Sequence, residues 1–311
     1  MFNIVEKRRW YFLISGILLT LSIAAMAISA IRFGQPMRLG IDFTGGSIFV
    51  LKFDEPVSES QLRTVFADYG VEGAIVQPLG TPDEHTWQVR TRQVTANEVG
   101  NLLVALENRL GKIDRDALTF DTVEPAVGGE VTRAAGLAIL VAAFIIVVFM
   151  WFSFRRVPNA FRYGVCTIAG MLHNLLISFG FYTLMGIIVG WEVDALFLTA
   201  ILTVIGFSVQ DVIVVFDRIR ENIPRHKTES YEKIVNRSIL ETLHRSLATQ
   251  LNAMFVMVAI ILFGGTTIKP FIATMLVGMI SETYSAIFIA VPLLVVWEKA
   301  ATRRAVARAT A

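Results

Sequence analysis

The sequence predicts an α-helical membrane protein with six transmembrane helices and one small ferredoxin-like α+β domain outside the bilayer. Three observations carry this. Of the 311 residues, 54% are hydrophobic and only 17% charged. Mean hydropathy is +0.60, too apolar for an ordinary soluble domain of this length. Finally, apolar runs long enough to cross a hydrocarbon core, about 20 residues each, recur along the chain and are interrupted once by a long segment with strand and helix periodicities.

In chain order, residues 1–9 form a cytoplasmic N-terminus carrying Lys7, Arg8 and Arg9, and residues 10–31 form the first span. The run "ISAIRFGQP" at its end is a weak cleavage signal, so this span is read as a retained helix rather than a signal peptide. Residues 32–133 form the extracytoplasmic domain. There "GSIFVLKF" alternates as a strand. "SESQLRTVFADYG" opens with a capping box from Ser58 to Gln61 and sets Leu62, Val65, Phe66 and Tyr69 on one helical face. "AIVQPL" and "HTWQVRTR" are strands, and "TANEVGNLLVALENRLG" is a helix capped by Thr95 and Glu98 with Val99, Leu102, Leu103, Leu106 and Leu110 inward. "ALTFDTVEP" completes a βαββαβ order. Gly45 and Gly46 allow a tight turn or bulge where the domain starts.

Residues 134–297 hold the other five spans, at 134–154, 164–189, 195–216, 247–264 and 271–297. Segment 224–244, with Tyr231, Ile234, Ile239 and Leu243 among charges, is predicted to lie along the cytoplasmic surface as an amphipathic helix before the chain turns into the bilayer. Residues 298–311 are a cytoplasmic tail. Arg155, Arg156 and Arg162, the basic cluster from Arg218 to Arg237, and Arg303, Arg304 and Arg308 all fall on one side, which places both termini in the cytoplasm.

Composition also narrows the chemistry. A net charge of +2 gives no overall field for nucleic acid. A single cysteine, Cys166, cannot form an intrachain disulfide or a CxxC site. There is no GxxxxGK[ST] loop, no HExxH helix and no His/Asp/Glu spacing suited to a metal, so neither ATP use nor catalysis by this chain is expected.

The informative residues are polar groups within apolar runs, where a charge is costly and has to find a partner or a hydrated cavity. Asp211 lies in the fourth span beside Gln210, with Phe207 and Ser208 a turn before it. The expected counter-charge is Arg245 at the start of the fifth span, followed on its face by Thr249 and Asn252, with Gln250 beside that stripe. Such a pair could exchange a proton as its separation changes, or could simply join helices. Glu282 shares a face with Thr274, Gly278, Ser281 and Ser285, which fits either a proton role or close helix packing. His173, followed by Asn174, could relay protons or be hydrogen-bonded within the bundle.

Two stretches go beyond composition. "GIDFTGGSIFVL", with Gly40, Asp42, Gly45 and Gly46, and "IGFSVQDVIVVFDRIREN", with Asp211, Asp217, Arg218, Arg220 and Glu221, resemble the SecF family of the SecDF accessory protein translocase, in the RND superfamily. "NRSILETLHRSLATQL", "LFGG" and "ETYSAIFIAVPLL" match its later segments in order. The resemblance covers essentially the whole chain. It implies an RND-like half of six spans that pairs with SecD. The pair would work beside the SecYEG channel on a translocating preprotein, in the bacterial plasma (inner) membrane among its lipids. It implies no cofactor, with protons as the coupling ion and Asp211 and Arg245 as the proton-coupling residues. The chain departs from the family where Gln210 stands for asparagine, Asn174 for an acid, Glu282 for glycine, and Gln250 and Asn252 for hydroxyl or apolar residues. On this reading Glu282 could replace the missing third-span acid. The competing readings are half of an RND-type small-molecule or lipid exporter, and a non-transporting membrane assembly factor.

Overall fold

The computed structural model describes residues 3–71, 73–79, 84–155 and 160–309. The outermost residues of both predicted tails, Arg156 of the second basic cluster, and positions 72 and 80–83 of the α+β domain lie outside the described residues. The chain divides into two compact units. One comprises Met1–Arg38, Ala138–Trp191 and Leu196–Ala311; the other comprises Leu39–Leu137 and Glu192–Ala195.

The second unit is the predicted α+β domain. Its elements are α2 (Ile41–Thr44), β1 (Gly46–Lys52), α3 (Glu59–Asp68), β2 (Ile75–Pro78), β3 (Thr86–Thr91), α4 (Ala96–Leu110) and β4 (Thr119–Val123). The strands form one antiparallel sheet in the order β2-β3-β1-β4. Register follows from period-two alternation: Val76, Val89, Phe49 and Phe120 lie opposite one another across the sheet. Phe49, Leu51, Val76 and Val89 are buried in one core with Leu62, Val65 and Phe66 of α3 and Leu102, Leu103 and Leu106 of α4. Tyr69, expected on the inward face of α3, is exposed instead, because the helix ends at Asp68 and Tyr69 has left its periodicity.

Both helices begin as their capping boxes require. Ser58 and Gln61 exchange side-chain and backbone bonds, and Thr95 and Glu98 do the same. Gly45 and Gly46 have φ of +73° and +123°. A Cβ on Gly45 would lie 2.6 Å from the Cα of Pro125, so the position requires glycine for both conformation and space.

In the first unit, α1 (Arg8–Phe33), α6 (Ala160–Ile188), α7 (Ala195–Arg225) and α8 (Tyr231–Phe263) are single long helices. The remaining helix of spanning length, α5 (Pro125–Phe154), begins within the α+β unit, well before the predicted start of its span, with Pro125 at its first turn, where a missing N–H costs nothing. The last span is composite: α9 (Lys269–Ser285), a π-helical segment at Ala286–Ala290, and α10 (Val291–Ala309). Pro292 supplies a cause. It has no N–H to give and its ring crowds the carbonyl four residues back, that of Phe288, so a regular α ladder cannot continue there. Among the described residues, six helices are long and apolar enough to cross a membrane, and the chain is a multi-pass membrane protein.

Segment 224–244 corrects an expectation. Its first residues end α7, and from Tyr231 it runs without a break into the fifth span as α8. Ile234, Val235, Ile239 and Thr242 are buried against the bundle, so this stretch is packed helix rather than a separate surface helix.

Small residues permit close helix approach, which in lipid must replace the hydrophobic drive. A Cβ on Gly180 of α6 would lie 2.2 Å from the Cβ of Ser22, and one on Gly278 of α9 would lie 2.2 Å from Val204 of α7. Ser15, Ser22 and Ser29, seven apart on α1, are all buried. The other end of the bundle is filled by a cluster that includes Phe154, Tyr163, Phe216, Val291 and Leu294, with Phe154 and Tyr163 stacked at 5.5 Å.

Candidate functional site

One group of buried polar residues in the bundle converges from four helices. α7 places Ser208 and Asp211 one turn apart on its buried face, because apolar Ala200, Ile201, Val204, Val212 and Val215 fix that face inward. α8 brings Ser246 and Gln250, four apart, in a buried stripe with Ile239, Thr242 and Met257. α9 supplies Ser281 and Glu282, both buried beside Gly278. α6 supplies His173 and Asn174, also buried.

Two hydrogen-bonded groups result. In the first, Gln250 Nε2 donates to Asp211 Oδ2 at 3.2 Å and to Glu282 Oε2 at 2.8 Å, and Ser246 also hydrogen-bonds the Asp211 side chain. In the second, Ser281 Oγ donates to Asn174 Oδ1 at 2.8 Å, Asn174 Nδ2 donates to Ser208 Oγ at 3.0 Å, and His173 Nδ1 lies 3.2 Å from Asn174 Oδ1. Ser208 and Asp211 on α7, and Ser281 and Glu282 on α9, set the two groups side by side. The His173 ring lies against Tyr284, with centroids 6.2 Å apart.

Arg245 is not part of this site. It is exposed, as are Thr249 and Asn252, and among the described residues no ion pair joins it to Asp211. The physical reason is helical phase. Arg245, Thr249 and Asn252 lie on one face of α8, whereas the face turned to Asp211 is that of Ser246 and Gln250. Gln210 is exposed too, one residue out of phase with Asp211. Of the expected polar residues the structure thus gathers Asp211, Glu282, His173 and Asn174, and leaves Gln210, Arg245, Thr249 and Asn252 on outer faces. Ser246 was not singled out, although its spacing of four from both Thr242 and Gln250 marks a small-polar stripe.

The motif residues after Asp211 act at the end of α7. Arg218 bonds Glu221 at 2.8 Å and Glu241 of α8 at 2.7 Å, Arg220 pairs with Asp217 at 2.6 Å, and Asn222 reaches Ser238 and Glu241. The bonds of Arg218 and Asn222 to α8 fasten α7 to it, while Arg220–Asp217 and Arg218–Glu221 are turns of α7 itself; exposed pairs individually contribute only about 0–1 kcal/mol. In the α+β unit, Gly40 N–H donates to the carbonyl of Val193 at 2.8 Å, and Asp42 Oδ2 accepts from the N–H of Ala195 at 2.8 Å.

Comparison with known proteins identifies the family. Residues 105–300 match the C-terminal family of SecD/SecF protein export membrane proteins, and residues 33–57, which include the two glycines, match the SecD/SecF GG motif. The chain is 42% identical over 307 residues to the protein translocase subunit SecF of Thermobaculum terrenum, covering 96% of this chain and 94% of that one. It is 41% identical to SecF of Anaerolinea thermophila, covering 96% and 94%. Among solved structures it resembles SecDF of Thermus thermophilus, described as a translocon-associated membrane protein, with a TM-score of 0.79 and 28% identity. That match covers 96% of this chain and 39% of the SecDF chain. A second SecDF structure, in a super-membrane-facing form, gives a TM-score of 0.67 at 28% identity and covers 100% of this chain and 40% of the other. Near-full-length identity to SecF subunits, the glycine motif and the six-helix fold together show that the chain belongs to the SecF family of protein translocase subunits.

Proposed function

We propose that this chain pairs with SecD and uses the proton-motive force to promote late-stage export of preproteins from the SecYEG channel. It works in the bacterial plasma (inner) membrane with both termini cytoplasmic and the α+β unit outside, as a non-catalytic subunit whose coupling ion is the proton. The match to SecDF supports the pairing, since this chain corresponds to 39% of that larger chain. The polar stripe of Arg245, Thr249 and Asn252, exposed on α8, supports it as well, because such groups on a spanning helix call for a protein rather than a lipid neighbour.

The observation that carries the reading is the buried Asp211 carboxyl, held by Gln250 and Ser246 and, among the described residues, by no cation. Charge in a low-dielectric bundle is expensive, so gaining or losing a proton there changes which helix packing is favoured. One proton crossing 100 mV supplies about 2.3 kcal/mol. A full reversal of a two-state packing from 1:99 to 99:1 needs about 5.5 kcal/mol, so one proton biases the packing and substrate or partner contacts supply the rest. The test uses membrane vesicles holding matched amounts of wild-type or Asp211→Asn protein with SecD and the channel, with late-stage translocation followed with and without a proton gradient. The gradient is expected to help the wild type and not the variant. Equal help to both, with complex abundance unchanged, would make Asp211 a structural residue and favour an assembly role.

A further inference from the structure

Glu282 is fully enclosed, with no exposed surface, and its two oxygens are treated differently. Oε2 accepts from Gln250, whereas Oε1 is buried with no hydrogen-bond partner among the described residues. The same Gln250 nitrogen also serves Asp211 Oδ2. A side-chain amide nitrogen has two N–H bonds, and here each is committed to a carboxyl on a different helix. The other titratable groups on the elements packed around Glu282 are few. α6 presents His173, α9 itself presents Tyr284, and α1 presents Tyr11, whose carbonyl accepts from the Tyr284 hydroxyl at 2.8 Å. α8 turns His244 and Arg245 to its exposed face. Among the described residues, therefore, no cation stands near enough to balance two carboxylates, and like charges two hydrogen bonds apart cannot both be held in a water-poor interior.

We infer that Glu282 is a second proton-carrying carboxyl of this site, joined to Asp211 through Gln250 into one unit that holds at most one negative charge. With one proton aboard, one carboxyl bears the O–H while the other is a carboxylate accepting from Gln250. Transfer between them breaks one O–H bond and forms the other, with net charge unchanged; a second proton leaves the unit neutral. The two carboxyls sit on different helices, so moving the proton moves the charge from α7 to α9. The π-helical segment begins four residues after Glu282, which gives the Glu282-bearing half of that span a place to rotate. This deepens the proton-coupling reading and rests on it for the role of the pair, but not for the existence of the pair.

The experiment reads protonation directly. Full-length protein in lipid nanodiscs, carboxyl-labelled with carbon-13 at glutamate or at aspartate, is titrated by infrared difference spectroscopy as wild type, Glu282→Gln and Gln250→Met. Thermal unfolding checks that each variant remains folded. The wild type should show a glutamate C=O band of a buried protonated acid that titrates, and this band should vanish in Glu282→Gln. The Asp211 band should change its midpoint by about one pH unit or more in both variants, the size that marks interacting sites. Absence of a titrating buried glutamate band in the wild type, or an Asp211 midpoint indifferent to Glu282→Gln, overturns the inference. Either result is independent of the vesicle assay. A titrating pair alongside an unaltered gradient response in Asp211→Asn would sink the coupling reading and leave the pair standing.

Discussion

Replacing Gly180 by alanine should push α1 and α6 apart. The added Cβ would fall 2.2 Å from Ser22 Cβ, 2.3 Å from its Oγ and 2.5 Å from its Cα. Carbon pairs rest at about 3.5–4.0 Å, so the helices must separate by more than about 1 Å. The Ser22 hydroxyl can rotate aside, but its Cα is backbone and cannot. Overpacking of this kind costs about 1–3 kcal/mol, and the loss extends along the seam, because Ser15, Ser22 and Ser29 hold the same face of α1. Gly164→Ala, on the same helix, is the control, since its Cβ would meet nothing within 4 Å. There the change removes a flexible glycine from the second turn of the helix and should be neutral or stabilising by up to about 1 kcal/mol. Reversible denaturation of the full chain in detergent micelles, followed by tryptophan fluorescence, measures both. Gly180→Ala should fall below Gly164→Ala by about 2 kcal/mol or more. Stabilities within about 0.5 kcal/mol of each other, the spread of ordinary surface changes, would refute the close α1–α6 contact.

Gly45→Ala places a side chain in a conformation open only to glycine, at a strain of about 1–3 kcal/mol, in addition to the overlap with Pro125. Limited proteolysis of the α+β unit in the full chain should be faster than for wild type, and equal rates would contradict the turn. The Glu98 carboxyl is held down to about 2 by the guanidinium of Arg92, with the Thr95 N–H and hydroxyl adding to it. A carboxyl so depressed contributes stability that is present above its ordinary value of 4.5 and is lost as pH falls towards 2. Hydrogen-exchange protection at the start of α4 should therefore drop across that window in wild type and much less in Glu98→Gln; parallel profiles would count against the pair. Arg245→Gln should leave the stability of the isolated chain within about 0.5 kcal/mol of wild type, because Arg245 is exposed. A loss well beyond that would mean Arg245 has a partner within this chain.

Periodicity made most of the fold legible. Alternation in β1 and β3 and two capping boxes were enough for the βαββαβ unit, and hydropathy was enough for the spans. What escaped were features without a linear signal. The π-helical segment depends on how Pro292 strains a ladder already packed on its neighbours, and α2 is a single turn to which no sequence pattern was assigned. The uninterrupted α8 escaped because charge density between Tyr231 and Leu243 concealed a buried stripe of Ile234, Ile239 and Thr242. At the site, Asp211, Glu282 and the His173–Asn174 pair were visible as polar interruptions. Their pairing was not, because attraction between opposite charges pointed to Arg245 whereas helical phase decided for Gln250. Continuing the buried stripe from Thr242 through Ser246 to Gln250 would have found it.

If Asp211 couples the proton gradient to export as proposed, a proton must bind and leave at its carboxyl. Proteoliposomes containing the chain with SecD, loaded with a pH-sensitive dye and given an outward-acid gradient, report proton movement directly. Uptake is expected in wild type, with its loss in Asp211→Asn at equal protein. Uptake by Asp211→Asn at the wild-type rate would contradict it.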